Sequence, residues 1–131
     1  MTTRAPLAMR RLGTYRRGAI TITGTILIGA SGAVTSFVCE AVDSSTGIVK
    51  TAAKTGRYTV TFLRKYKNVR VVSLELGGPA DAALTATDGN DLFYRNLSGT
   101  GFDIQARQTS YADANPASGN TITFNVEAQL L

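Results

Sequence analysis

The sequence predicts an all-β domain, an antiparallel β-sandwich or jelly roll, and three observations carry that prediction. Most apolar segments alternate with polar residues at period two, the spacing of half-buried strands. The chain holds 18 threonines and 13 glycines but 3 prolines among its 131 residues, a balance that leans towards strands and turns. Turn-forming clusters recur at roughly 8–12-residue intervals with no segment of helical period, as in a sandwich. A chain of this length buries one real core, and no repeat or linker divides it. The expected organisation is a basic extended arm over residues 1–17 and a sandwich over residues 18–131.

The elements follow in order. In residues 19–28, AITITGTILI, the isoleucines Ile20, Ile22, Ile26 and Ile28 alternate with Thr21, Thr23 and Thr25. A basic stretch before such a segment imitates a secretory signal. A signal core is apolar all round, however, and a membrane helix needs about 20 apolar residues, so the segment reads as a strand. GASGA at 29–33 turns the chain into Val34–Val42, and DSSTG at 43–47 leads to a short strand at Ile48–Ala52. Arg57–Leu63 puts Tyr58, Val60 and Phe62 on one face, and Asn68–Leu76 follows after RKYK.

GGPADAA at 77–83 reads as a loop and Leu84–Asp88 as a short strand ending at an Asp88-Gly89 hairpin signal. Leu92–Leu97, a turn at Gly99–Gly101 and Phe102–Thr109 come next, then the loop ADANPASGN at 112–120. The last strand, Thr121–Leu130, places Ile122, Phe124, Val126, Ala128 and Leu130 on one face. The inward set is expected to include Ile20, Ile22, Ile26, Val60, Phe62, Ile104, Ile122, Phe124 and Val126. Two segments look apolar on both faces: Phe37, Cys39 and Ala41 oppose Val34, Val38 and Val42, while Val69 and Val71 oppose Val72, Leu74 and Leu76. A sandwich buries one face of each sheet, so the second face points to a contact between subunits or to cover by a loop.

Charge is distributed unevenly. Arg4, Arg10, Arg11, Arg16 and Arg17 lie in the first eighteen residues with no acid among them. The chain carries 14 Lys and Arg against 9 Asp and Glu, so the remainder balances at nine against nine. This is a basic arm on a neutral body. Basic N-terminal arms bind nucleic acid or protein, and five charges alone give a weak, salt-sensitive hold on phosphates. Tyr15 is the arm's one aromatic, where a single-strand binder needs several for stacking. Leu7, Met9 and Leu12 interleave with the arginines, as in a segment that docks on protein. A protein partner is therefore favoured over nucleic acid, with Arg4, Leu7, Met9, Arg10, Arg11, Leu12, Arg16 and Arg17 as its contact residues. Arg64, Lys65 and Lys67, around Tyr66, form either a solvated strand end or a second basic contact.

Chemistry-bearing motifs are few. The chain has no histidine, which removes Ser-His and Cys-His nucleophile pairs and histidine metal sites. Its acids are scattered. Asp88-Gly89-Asn90-Asp91 has the flavour of a calcium loop but lacks the later bidentate glutamate, and reads as a turn. Lys54-Thr55 lacks the glycine that precedes the lysine of a phosphate loop. Asn96-Leu97-Ser98 fits a glycosylation sequon, which carries no weight without a secretory route. Cys39 stands alone, so no internal disulfide forms, and its apolar surroundings read as burial. Neither catalysis nor a cofactor is expected.

From residue 55 onward the chain resembles small virion proteins of tailed bacteriophages. The resemblance lies in TGRYTVTF at 55–62, VRVVSLEL at 69–76 and the ending ADANPASGNTITFNVEAQLL. It covers slightly over half the chain, in turn-and-strand patterns. It implies a β-sandwich made in the host cytoplasm and placed on the capsid surface. There it would cement or decorate the major capsid protein, commonly as a homotrimer, with no membrane involved. A fibre, tail or head–tail component is the alternative within virions, and a basic-armed nucleic-acid binder the alternative outside them. GAITITGTI at 18–26, followed by Cys39, is similar to the opening strand of chaperone–usher pilins, but the second cysteine of those subunits is missing.

Overall fold

A computed structural model describes residues 18–78 and 87–131. Among the described residues, eight strands form two four-stranded antiparallel sheets, the β-sandwich that the period-two pattern predicts. They are β1 (Ala19–Ile28), β2 (Val34–Cys39), β3 (Ile48–Lys50), β4 (Arg57–Thr61), β5 (Tyr66–Gly77), β6 (Asp91–Ser98), β7 (Gly101–Arg107) and β8 (Thr121–Leu130). The first sheet runs β2-β1-β8-β5 and the second β3-β4-β7-β6. The edges β5 and β6 meet at one seam and β2 and β3 at the other.

The core follows the alternation. Ile22, Ile26, Ile28, Ile122, Phe124 and Val126 from the first sheet meet Tyr58, Val60, Phe102 and Ile104 from the second, all buried. Phe102 and Phe124 join the layers edge to face, with ring centres 5.4 Å apart, an arrangement that aromatic quadrupoles favour. Phe62 continues the series to Tyr66. Of the expected inward set, Ile20 is half-buried at the rim of this core. Leu130 closes β8 beyond the rim and is 38% exposed.

Several boundaries shift. β2 ends at Cys39, three residues short of the predicted Val42, because the chain leaves the first sheet and Val42 bridges to Phe62 beside the second. β5 begins at Tyr66, so RKYK belongs in part to the strand. Of the predicted strand Leu84–Asp88, residues 84–86 lie outside the described residues, and Thr87 and Asp88 form a turn and a bend.

The two-faced segments have an internal explanation. Between β1 and β2 the register slips, so that Ile28 faces Val34 while Leu27 faces Ser36. Thr35 is the extra residue of a bulge, and the alternation reverses across it. Val34, Phe37 and Cys39 thus all pack against the core. In β5, Val71 faces Val126 and Ser73 faces Asn125, which makes Val72 the extra residue. Val69 and Val71 on one side of it, and Leu74 and Leu76 on the other, all pack inward. The expectation that a whole second face seeks a subunit is corrected by these bulges. What remains outward is Val38, 76% exposed, and Val72, 52% exposed.

Asparagines stand where the backbone must enter the left-handed region. Asn68 and Asn96 have φ of 51° and 54°, each at a register slip in β5 or β6. Asparagine tolerates that conformation better than most residues. Asn96, in the sequon, donates from its amide to Asp103 at 2.7 Å.

Candidate functional site

One end of the sandwich gathers the features that a contact surface needs. The chain enters the described structure at Gly18, whose carbonyl accepts a hydrogen bond from the Leu130 amide at 3.0 Å. Across this end Ala19 pairs with Gln129, and Gln129 pairs with Lys67. The root of the basic arm and Lys67 therefore lie on one rim, two strand spacings apart.

Arg64, Lys65 and Lys67 are all exposed here. Their position is fixed from beneath. Tyr66 is buried and its amide donates to the Gly99 carbonyl at 2.9 Å, docking the segment on the β6–β7 turn. The Arg64 guanidinium sits 5.8 Å from the Tyr66 ring centre, within cation–π range. The structure thus brings Arg64, Lys65 and Lys67 together on one surface. Arg4, Leu7, Met9, Arg10, Arg11, Leu12, Arg16 and Arg17 lie outside the described residues.

Apolar groups share this end. Leu63 is 65% exposed and Leu131 70% exposed. The Leu63 amide is tied to the Ala41 carbonyl at 2.8 Å, which draws the segment after β2 towards the same rim. Between that segment and β1 lies a cleft of about 490 Å³, whose walls include Ile20, Ile22, Cys39, Ala41 and Tyr66, with Glu40 at its edge. The sequence reading missed this cleft. Its signal was faint, since it depends on β1 outlasting β2 and nothing in residues 34–42 marks where pairing stops.

Cys39 is half-buried in the cleft wall. Burial, ahead of the nearby Glu40 charge, pushes its thiol pKa up, although a hydrogen bond with the Ala41 backbone works against the shift. The thiol is a poor nucleophile at neutral pH as a result.

The outer face of the first sheet is polar and nearly uncharged at its centre. The Thr23 hydroxyl donates to Asn125 at 2.9 Å, and the Asn125 amide donates to Ser73 at 2.9 Å. Thr25 and Thr123 stand side by side. Towards the arm's root, Arg70 pairs with Glu127. On the second sheet Arg107 pairs with Asp113 at 3.1 Å while lying over the Phe93 ring at 4.3 Å.

Among the described residues no three His, Cys, Asp or Glu side chains come together as a metal site, and no helix is long and apolar enough to cross a membrane. No protein-family model matches the chain, and no curated protein and no solved structure is significantly similar to it.

Proposed function

We propose that this protein is a non-enzymatic structural component of a virion, a capsid cement or decoration protein that bridges neighbouring major capsid subunits. The observation that carries the reading is the division of labour along the chain. A charge-balanced β-sandwich is followed outward, at one end, by exposed leucines, a basic cluster at Arg64, Lys65 and Lys67, and the root of a five-arginine arm. A body of this kind suits burial between subunits. The arm adds reach, because seventeen extended residues span roughly 55–60 Å.

Each bridge need contribute little, since many copies acting together multiply weak contacts. An exposed ion pair stabilises by ~0–1 kcal/mol, so Leu7, Met9 and Leu12 supply most of the arm's hold on a neighbouring protein chain, whether a second copy or a capsid subunit, and the arginines set the register. The concentration of positive charge at one end also supports a second reading, contact with packaged nucleic acid.

Mass spectrometry of purified particles tests the proposal. Hundreds of copies per particle are expected; a few dozen would move the protein to the tail or a fibre, and absence would remove it from the virion. Deleting residues 1–17 should leave the sandwich folded and abolish binding to the particle. Crosslinking of the arm to genome in intact particles would favour the nucleic-acid reading.

A further inference from the structure

β1 is ten residues long and β2 six, and their pairing stops at Gly24 opposite Cys39. On its other side β1 pairs with β8 from Ala19 through Leu27. The first five residues of β1 therefore have one partner strand, not two, among the described residues.

The direction of their backbone groups can be read from the ends of the strand. The Ile28 amide and carbonyl bond to Asn120 and Gly119, and the Gly18 carbonyl bonds to Leu130. Even-numbered residues thus point towards β8. By alternation, the N–H and C=O groups of Ala19 and Thr21 point into the gap that β2 leaves beyond its last pair, Gly24 with Cys39. An open edge of this kind is a template for another strand. Beside it lies the cleft walled by Ile20, Ile22, Cys39, Ala41 and Tyr66.

We propose that residues Leu7–Arg11 of a second copy's arm add to this edge as a further strand. The side-chain pattern fits. In an extended strand Leu7 and Met9 share one face and fill the apolar cleft. Ala8 and Arg10 take the other, on the side open to solvent where Glu40 is exposed. Pro6, which lacks an N–H, marks where pairing starts. The arm carries no acid, so nothing in it opposes Glu40.

Register assigns the arm to a second copy. If the arm folded back on its own β1 through the usual two- to five-residue hairpin loops, at most one apolar side chain would fall opposite Ile20 and Ile22. A two-residue loop places Tyr15 and Gly13 there, and a three-residue loop places Thr14 and Leu12. Four residues give Gly13 and Arg11, and five give Leu12 and Arg10. Placing both Leu7 and Met9 in the cleft needs a loop from Arg11 to Gly18. A neighbouring copy has no such restriction, and its Leu12–Gly18 segment spans about 23 Å at ~3.3 Å per residue, enough to join two adjacent bodies. Such contacts between copies do not depend on the particle to which the copies belong.

Cys39 is the chain's own cysteine and lies in the cleft wall, so it reports directly. In the full chain carrying Met9→Cys, mild oxidation should give an interchain disulfide from position 9 to Cys39, identified by peptide mass spectrometry. An intrachain disulfide would show the arm closing its own edge and would overturn the exchange. No disulfide, or equal crosslinking from Thr2→Cys as a collision control, would overturn the docking altogether. An independent readout needs no new cysteine. Cys39 in the chain lacking residues 1–17 should react with a maleimide at least about tenfold faster than in the full chain, as expected when a covering segment is removed. Equal rates would refute the proposal.

Discussion

The phenolic hydroxyl of Tyr58, in β4 of the second sheet, donates to the backbone carbonyl of Gly32 in the β1–β2 turn of the first, at 2.7 Å. Tyr58 is fully buried and Gly32 has a φ of 74°, a left-handed conformation that glycine adopts without strain. The bond joins the two layers where β1 has just ended.

Tyr58→Phe keeps the ring in the core and orphans the Gly32 carbonyl. The cost should be about 1–3 kcal/mol, the desolvation of an unpaired buried acceptor. The urea midpoint should fall with an unchanged slope; an unchanged midpoint refutes the assignment. Burial also pushes the Tyr58 pKa above its ordinary value of 10.0. The folded state then holds this proton more tightly than the unfolded state does. Its contribution is complete below pH 10 and is lost as pH rises beyond, so the wild type should weaken with alkali more steeply than Tyr58→Phe.

Asp43 organises the turn after β2. Its carboxylate accepts from the Ser45 amide at 2.9 Å, the Ser45 hydroxyl at 2.8 Å and the Thr46 amide at 3.0 Å. These bonds favour the ionised form and hold the pKa down to about 2, from 3.8. The turn's support is therefore present above about pH 4 and is lost as pH falls towards 2. Carboxyl NMR should show an Asp43 midpoint near 2. Asp43→Ala should increase hydrogen exchange at Ser45 and Thr46, and Asp43→Asn, which keeps one acceptor oxygen, should do so less.

How much of this was legible in the sequence depends on where alternation holds. Ile22, Ile26, Ile122, Phe124 and Val126 sit inside as period two requires. Period two fails at Thr35 and Val72, where one extra residue moves a strand's apolar set to the other face. Nothing marks those positions in advance, since a bulge is set by pairing with a distant strand. The basic cluster at Arg64, Lys65 and Lys67 was visible as composition. That it shares a rim with Gly18 came from the β1-β8-β5 order, which local sequence does not encode.

Gly24 illustrates a constraint hidden in the same way. It pairs with Phe124, and a Cβ at Gly24 would lie 2.2 Å from the Phe124 ring. Phe124 is fully buried and cannot swing out without opening the core. Gly24→Ala should destabilise by about 1–3 kcal/mol through overpacking. Adding Phe124→Leu should cost less in that background than in the wild type, because the two residues share one space. Strictly additive effects would show that the ring yields elsewhere.

The outer face of the first sheet carries a row of residues that face one another across all four strands. Val38, Thr25, Thr123 and Glu75 form one row across β2, β1, β8 and β5, and Val38 stands 76% exposed at its edge. An isolated exposed valine contributes little to folding, so Val38→Lys should change stability by no more than about 0.5 kcal/mol. If copies of the chain meet across this face, the same substitution buries an unpaired ammonium and should lower the mass seen by light scattering towards the monomer. Val38 also borders the cleft beside the β1 edge, so the crosslink is what separates this face from arm exchange. A variant that keeps its stability, loses the oligomer and still forms the position 9 to Cys39 crosslink at high concentration would place two contacts on the molecule. An oligomer unaffected by Val38→Lys would leave the β1 edge and the arm as the contact that matters.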